Sequence, residues 1–135
     1  MANAIYDLGR AAFGNAEIDW LGDTIKAILV DAADYTVNLA TDNDLADIPA
    51  GARVATSSAL TSKTNVAGVM DADDVTWSSV TGDQSEAVVI YLDSGVEATS
   101  LLIAYIDSAT NLPVTPNGGD ITVAWDNGAN KIFKL

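Results

Sequence analysis

The chain has 135 residues, a formal net charge of −13, and neither cysteine nor histidine. The two missing residue types exclude disulfides, thiolate nucleophiles, and the side chains that most often bind zinc or act as a general base. The acidity opposes binding to nucleic acid, and no apolar run reaches the roughly 18–20 residues that cross a bilayer, so we expect neither nucleic acid nor membrane as a partner.

The length predicts a single domain over residues 1–135, with residues 1–14 as a helical N-terminal arm. Asn3 can cap a helix over residues 2–13, and Gly14-Asn15 can end it. Its apolar residues fall near one face: Ile5, Leu8, Ala12 and Phe13. A helix this short is marginal alone, so we expect it to dock either on its own sheet or on a neighbouring subunit. The segment also carries Asp7 and Arg10, which is not typical of a secretory signal.

A compact apolar group follows at residues 18–21. Trp20 and Leu21 stand between Asp19 and Asp23 in a polar connection, which makes Trp20 the first candidate for a subunit contact. Residues 24–31 predict a strand. Residues 34–39 alternate apolar and polar side chains and predict a second one.

The middle of the chain predicts short elements. Residues 41–48 favour one or two helical turns with Thr41 as the N-cap, and Pro49 stops them. Residues 51–55, 66–70 and 75–80 each predict a strand.

The longest apolar runs lie at residues 86–92 and 99–106, joined by the turn residues Asp93-Ser94-Gly95. They predict a hairpin. A strand with one wet face alternates apolar and polar residues, but these runs are nearly continuously apolar. We therefore expect both faces of the hairpin to be covered, the second one by the N-terminal helix or by a neighbouring subunit.

The last predicted strands are residues 120–125 and 131–135. Asn127-Gly128 between them favours the positive φ angles of a tight hairpin turn. Together the elements predict a mainly β fold, an antiparallel β-sandwich or a partly closed β-barrel with a short N-terminal helix. An α+β fold with a helix-covered sheet is the alternative.

No motif for chemistry stands out. Residues 42–47 resemble a calcium loop superficially, but Ala46 and Asp47 occupy the positions where the EF-hand pattern needs an oxygen ligand and glycine. The acidic turn at residues 71–74 fails similarly, with Val75 at the fifth position. We expect no enzyme activity, no cofactor and no catalytic or metal-binding residue. The residues we expect at an interface are Ile5, Leu8, Phe13, Trp20 and Leu21.

Several segments resemble a family of small structural proteins encoded near the head genes of tailed bacteriophages. The resemblance is spread over most of the chain and rests on the opening helix, residues 18–21, 24–31, 47–55, 102–107, 113–121 and 125–128, and the closing Ile132-Phe133. It implies a virion component, a capsid decoration (cement) protein that stabilises a phage head by oligomerising and bridging capsid subunits. The expected partners are the major capsid protein and copies of the chain itself, in a homo-oligomer such as a trimer.

The same resemblance implies assembly in the host cytoplasm and a place on the outer surface of the capsid, where an acidic chain suits better than on the DNA-facing side. A tail or fibre-associated protein that binds a host receptor or glycan is the alternative. Exposed aromatic residues beside Asp and Asn in an open groove would favour that alternative. A small binding domain unrelated to viruses is a third possibility.

Overall fold

The computed structural model describes residues 4–135, and these form ten strands and one α-helix. In chain order the elements are β1 (Ala4–Ile5), α1 (Asp7–Gly14), β2 (Ile25–Val30), β3 (Arg53–Thr56), β4 (Thr64–Val66), β5 (Val69–Asp71), β6 (Val75–Trp77), β7 (Ala87–Leu92), β8 (Leu102–Ile106), β9 (Ile121–Val123) and β10 (Phe133–Lys134). Three short 3-10 helices lie at Leu45–Asp47, Ala50–Ala52 and Glu97–Thr99. No helix in the described part of the chain is long and apolar enough to cross a membrane.

The strands form three antiparallel sheets. The largest has the order β1-β8-β7-β2-β3, and the two smaller ones have the orders β10-β5-β4 and β6-β9. None of the sheets within residues 4–135 closes into a barrel. The fold is therefore mainly β and sandwich-like with one short N-terminal helix, as the sequence predicts.

One face of the five-stranded sheet packs against the two small sheets and forms what we call the tryptophan core. All three indoles lie in it, and each donates its ring N–H to a backbone oxygen: Trp20 to Asp71 (3.3 Å), Trp77 to Ala27 (3.3 Å) and Trp125 to Asp73 (2.9 Å). Buried aromatic N–H groups need such partners. The tryptophans are thus structural residues of a single folded chain.

The opposite face of the same sheet carries the tyrosine core, which contains Tyr6, Tyr35, Tyr91 and Tyr105. Both faces of the central hairpin are therefore buried, as its apolar runs predict. The expected cover was wrong: residues 35–52, rather than α1 or another subunit, supply the side chains that lie across this face, chiefly Tyr35, Ile48 and Ala52 with Val37, Leu39 and Leu45 at the margin.

Residues 34–39 are not a strand, contrary to the prediction. Their alternation is real, because Tyr35 is buried and Val37 and Leu39 are half-buried while Thr36 and Asn38 are exposed. No strand within residues 4–135 pairs with this segment. Its period-two pattern therefore marks side chains that face the core from a segment without a ladder of hydrogen bonds.

Two sets of polar contacts hold residues 35–52, the irregular cover, in place. Arg53 donates to the carbonyl oxygens of Ile48 (2.9 Å from Nε) and Leu45 (2.8 Å from Nη2), and its Nη1 lies 2.7 Å from Oε1 of Glu97. The Tyr35 hydroxyl donates to Oδ2 of Asp42 at 2.6 Å and lies 2.9 Å from the hydroxyl of Tyr6. The short helix Leu45–Asp47 is capped by the side chain of Asp44, not by Thr41 as predicted.

The N-terminal helix α1 docks on its own sheet, the first of the two alternatives. It begins at Asp7, later than predicted, because Ala4 and Ile5 pair with Tyr105 and Ala104 of β8; the predicted cap Asn3 lies outside the described residues. Its end is as predicted, with the Asn15 backbone N–H bonded to Ala11. Gly9 lies so close to β8 that a Cβ atom there would clash with the carbonyl oxygen of Leu102.

Two turn predictions were wrong. Residues 66–70 are not one strand, because Ala67 (φ 53°) and Gly68 (φ 85°) make a two-residue turn between β4 and β5. Asn127-Gly128 does not join a hairpin, since β9 pairs with β6 and β10 pairs with β5 in a different sheet.

Candidate functional site

The five residues expected at an interface divide into two groups. Ile5 and Trp20 are 7% and 2% exposed and belong to the tryptophan core, so each leaves little side-chain surface for a partner. The Trp20 indole is held by the Asp71 carbonyl and by an edge-on contact with Phe133, at 5.3 Å between ring centroids. Leu8 is exposed on α1, Leu21 is 56% exposed, and Phe13 is half-buried.

Three of the five line one surface depression, which we call the Leu21 groove. It has a volume of about 650 Å³ and is lined by Phe13, Gly14, Ala16, Ile18, Asp19, Trp20, Leu21, Asn65, Met70 and Leu135. Trp20 and Met70 are buried, whereas Leu21 and Leu135 are 56% and 44% exposed. A folded apolar surface of this kind, with large side chains left in water, is typical of a contact site.

The outward position of Leu21 is fixed by a turn. The Leu21 N–H donates to Oδ1 of Asp19 at 3.1 Å, and the Asp19 N–H donates to Oδ2 of Asp23 at 2.7 Å. A third bond closes the turn, from the Asp23 N–H to the Asp19 carbonyl at 2.8 Å. The carboxylates therefore shape the loop that presents Leu21.

The edge strand β4, all of whose residues are exposed, borders the groove through Asn65. Asn65 faces the Leu21 groove, and Val66, 70% exposed, lines a smaller depression of about 310 Å³ together with Val69 and Lys131. An exposed edge strand is a position where another chain can pair. The sequence prediction missed Asn65, Val66 and Leu135, because residues far apart in the chain meet here.

The acidic segments considered as calcium loops serve local structure. Asp44 accepts from the Ala46 N–H (3.0 Å), and Asp47 accepts from the Asn43 N–H (2.7 Å). In the second segment, Asp74 accepts from the Trp125 N–H at 2.9 Å. The first two carboxylates hold their own turn, and Asp74 links the chain before β6 to the chain after β9.

A different group of carboxylates comes together in space. Oxygens of Asp31, Asp34 and Asp83 lie within 4.8 Å of one another, with Asp31 buried and the other two exposed. Asp83 is distant in sequence, so no local pattern could have indicated it. Calcium takes roughly six to eight oxygen ligands, and one Asp31 oxygen already accepts from the Ala33 N–H at 2.9 Å. We assign no ion to this group.

The buried hydroxyls have little capacity for acid–base chemistry near neutral pH. Burial raises the pKa of Tyr91 to about 12, and it raises the pKa of Tyr6, Tyr35 and Tyr105 above the usual range. These phenols therefore remain protonated and act as hydrogen-bonding and packing groups.

In comparisons with known proteins, no family model and no curated protein matches the chain. The fold and the surface together define a small antiparallel β-sandwich domain whose most distinctive feature is an apolar groove beside an exposed strand edge.

Proposed function

We propose that the protein is a structural component of a tailed-bacteriophage virion, of the capsid decoration type, which associates with copies of itself and bridges subunits of the shell. The observation that carries this proposal is the Leu21 groove. Leu21 and Leu135 stay largely in water there while Trp20 and Met70 form a rigid floor beneath them. Burying such side chains against a partner supplies adhesion without any catalytic group.

The charge supports a place on the outer surface of the capsid. A net charge of −13 opposes contact with the packaged DNA. It also opposes contact between copies over most of their surface, so association needs an apolar site such as the Leu21 groove. The resemblance described above, spread over most of the sequence, supports the same role.

The distribution of aromatic residues favours this role over receptor or glycan binding. Phe13 is the one aromatic side chain of intermediate exposure, and the other eight are buried. A tail protein that grips a glycan is expected to display aromatic rings in an open groove, and the rings of this chain lie instead in its two cores.

The test compares Leu21→Asp with Val96→Asp, a substitution of equal charge at an apolar residue that is 59% exposed and away from the groove. Size-exclusion chromatography with light scattering measures self-association. Binding to purified capsids of a tailed phage that encodes the chain, and the melting temperature of those capsids, measure adhesion. Burial of a leucine is worth about 1.5–3 kcal/mol, so Leu21→Asp is expected to weaken association roughly tenfold or more, and Val96→Asp is expected to leave it unchanged.

A wild-type protein that stays strictly monomeric, does not bind the capsids and does not raise their melting temperature would contradict the decoration role. Equal losses in the two variants would contradict the assignment of the groove.

A further inference from the structure

A second depression, also bordered by α1, is lined by several basic side chains. It has a volume of about 820 Å³ and lies between β1 and β10. Ile106, Ile132 and Phe133 contribute apolar surface, and the basic side chains of Arg10, Lys131 and Lys134 line it; we call it the cationic cleft.

The pairing of the basic residues sets this cleft apart. The chain has six lysines and arginines against nineteen acids. Lys26 pairs with Asp93 at 2.7 Å, Arg53 pairs with Glu97, and Lys63 donates to the Asp23 carbonyl. The side chains of the other three basic residues make no hydrogen bond or ion pair within residues 4–135, and all three line the cleft: Arg10, Lys131 and Lys134. Two acids, Asp7 and Asp126, also line it, so its lining has an excess of positive charge on a chain of net charge −13.

The backbone around the cleft offers a strand edge. β1 is the outer strand of the five-stranded sheet, and β10 is the outer strand of one small sheet. Tyr6 donates its backbone N–H to the Ile103 carbonyl at 3.0 Å, and Ile5 lies opposite Ala104. Because hydrogen bonding alternates along an antiparallel pair, the N–H and C=O of Ile5 point away from β8, toward the side on which no strand of residues 4–135 pairs with β1.

We propose that the cationic cleft binds an extended acidic segment of a partner protein, which adds to β1 as a strand and directs its carboxylates to Arg10, Lys131 and Lys134. Main-chain hydrogen bonds would supply affinity, and the cations would select acidic side chains. A floor of buried apolar side chains and a strand edge suit a polypeptide better than a nucleic acid, for which exposed rings usually provide stacking. The inference goes beyond the virion role and does not depend on it.

A second copy of the chain is a poorer occupant. Each copy carries a net charge of −13, so two folded copies repel over most of their surface. Carboxylates of the acidic turns at residues 42–47 and 71–74 are also engaged by backbone N–H groups, those of Asn43, Ala46 and Trp125. A flexible acidic segment from another protein can enter the cleft without bringing a second acidic domain with it.

The experiment measures fluorescence anisotropy of a labelled eight-residue peptide of alternating valine and glutamate, titrated with the full chain. We expect saturable binding that weakens as salt is raised, because the contacts are between partly exposed charges. A peptide of alternating valine and lysine is expected not to bind. The valine–glutamate peptide N-methylated at alternate residues is expected to bind much more weakly, because it cannot complete the strand pairing.

Two variants with the same change in net charge give the matched control. Lys131→Gln with Lys134→Gln removes two cations from the cleft, and Asn15→Asp with Gln84→Glu adds two acids at exposed positions outside it. Each pair lowers the net charge by two. We expect the first pair to weaken peptide binding roughly tenfold and the second to change it less than about twofold.

Equal loss in both variants would overturn the proposal, since it would show only an effect of overall charge. If a single-stranded DNA with the same charge as the peptide binds as tightly as the peptide does, the choice of a polypeptide as the occupant is overturned. If the wild type self-associates and the two cleft substitutions abolish this self-association, the occupant is a second copy of the chain. That result would also overturn the proposal. Because Leu21 lies outside the cleft, Leu21→Asp is expected to leave peptide binding intact, which separates a failure here from a failure of the decoration role.

Discussion

The two faces of the five-stranded sheet are equally buried but are covered in different ways. The tryptophan core is closed by two small sheets, whose strands satisfy one another's backbone hydrogen-bonding groups. The tyrosine core is closed by residues 35–52, which contain only short 3-10 turns. An irregular cover has few backbone ladders of its own, so its polar groups must be satisfied by side chains. That is why Arg53, Tyr35 and Asp42 hydrogen-bond within or beside this segment.

The division also separates the chromophores, because all tryptophans lie on one face and all tyrosines on the other. Tryptophan fluorescence therefore reports on the sheet-covered face, and tyrosine absorbance reports on the loop-covered face. The difference between the two covers can be tested directly with these two signals.

The largest expected effect is on the sheet-covered face. Trp77→Ala removes a side chain that is 3% exposed and bridges β6 to the Ala27 carbonyl of β2. Truncating a buried aromatic residue is expected to lower the free energy of unfolding by about 3–5 kcal/mol, measured by urea denaturation. Thr76→Ser, at the exposed neighbour on the same strand, serves as control. A loss below about 1 kcal/mol for Trp77→Ala would mean that the small sheets do not close this core.

A smaller effect is expected from releasing the loop cover. Arg53→Met keeps an apolar stem and removes the bonds to Leu45 and Ile48. Hydrogen bonds to charged groups contribute about 1.5–3 kcal/mol, so we expect a loss of this order. Amide hydrogen exchange is expected to speed up over residues 45–48 while β6 and β9 keep their protection. Glu97→Gln, which removes only the exposed ion pair, is the control and is expected to have a much smaller effect.

The smallest effect near neutral pH concerns the tyrosines, whose pKa values are raised by burial. A group whose pKa is higher in the folded state stabilises the fold fully below its unfolded pKa, near 10 for tyrosine, and loses that contribution as pH rises. For Tyr91 the loss falls between about pH 10 and its folded pKa of about 12. We expect constant stability contributions from these groups up to pH 10, then a decline. If the tyrosinate absorbance of the folded protein rose with pH in the same way as that of free tyrosine, the raised pKa values would be contradicted.

The sequence predicted the burial of the central hairpin but not what covers it. The apolar runs at residues 87–92 and 102–106 are continuous, without the alternation of apolar and polar residues that a half-exposed strand shows. They therefore indicate that both faces of the hairpin are buried. The identity of the cover depends on contacts between distant segments. Tyr35, Val37 and Leu39 alternate as a strand would, yet they lie on the core without a pairing partner.

Local turn chemistry was an incomplete guide to the hairpins. Ala67-Gly68 turns a true hairpin inside a segment predicted to be one strand, whereas Asn127-Gly128, predicted to turn a hairpin, lies between strands of different sheets. The candidate groove shows the same limit. Phe13 and Leu21 were within reach of sequence reasoning, but Leu135 joins them only through the pairing of β10 with β5.

The absence of a side chain at Gly9 has a mechanical consequence for both surfaces. With backbone against backbone, α1 rests on β8 at a distance that no other residue would permit. The same short helix carries Arg10 into the cationic cleft and Phe13 into the Leu21 groove. The spacing set at one glycine thus determines the width of two openings at once, and lifting the helix there would displace a wall of each.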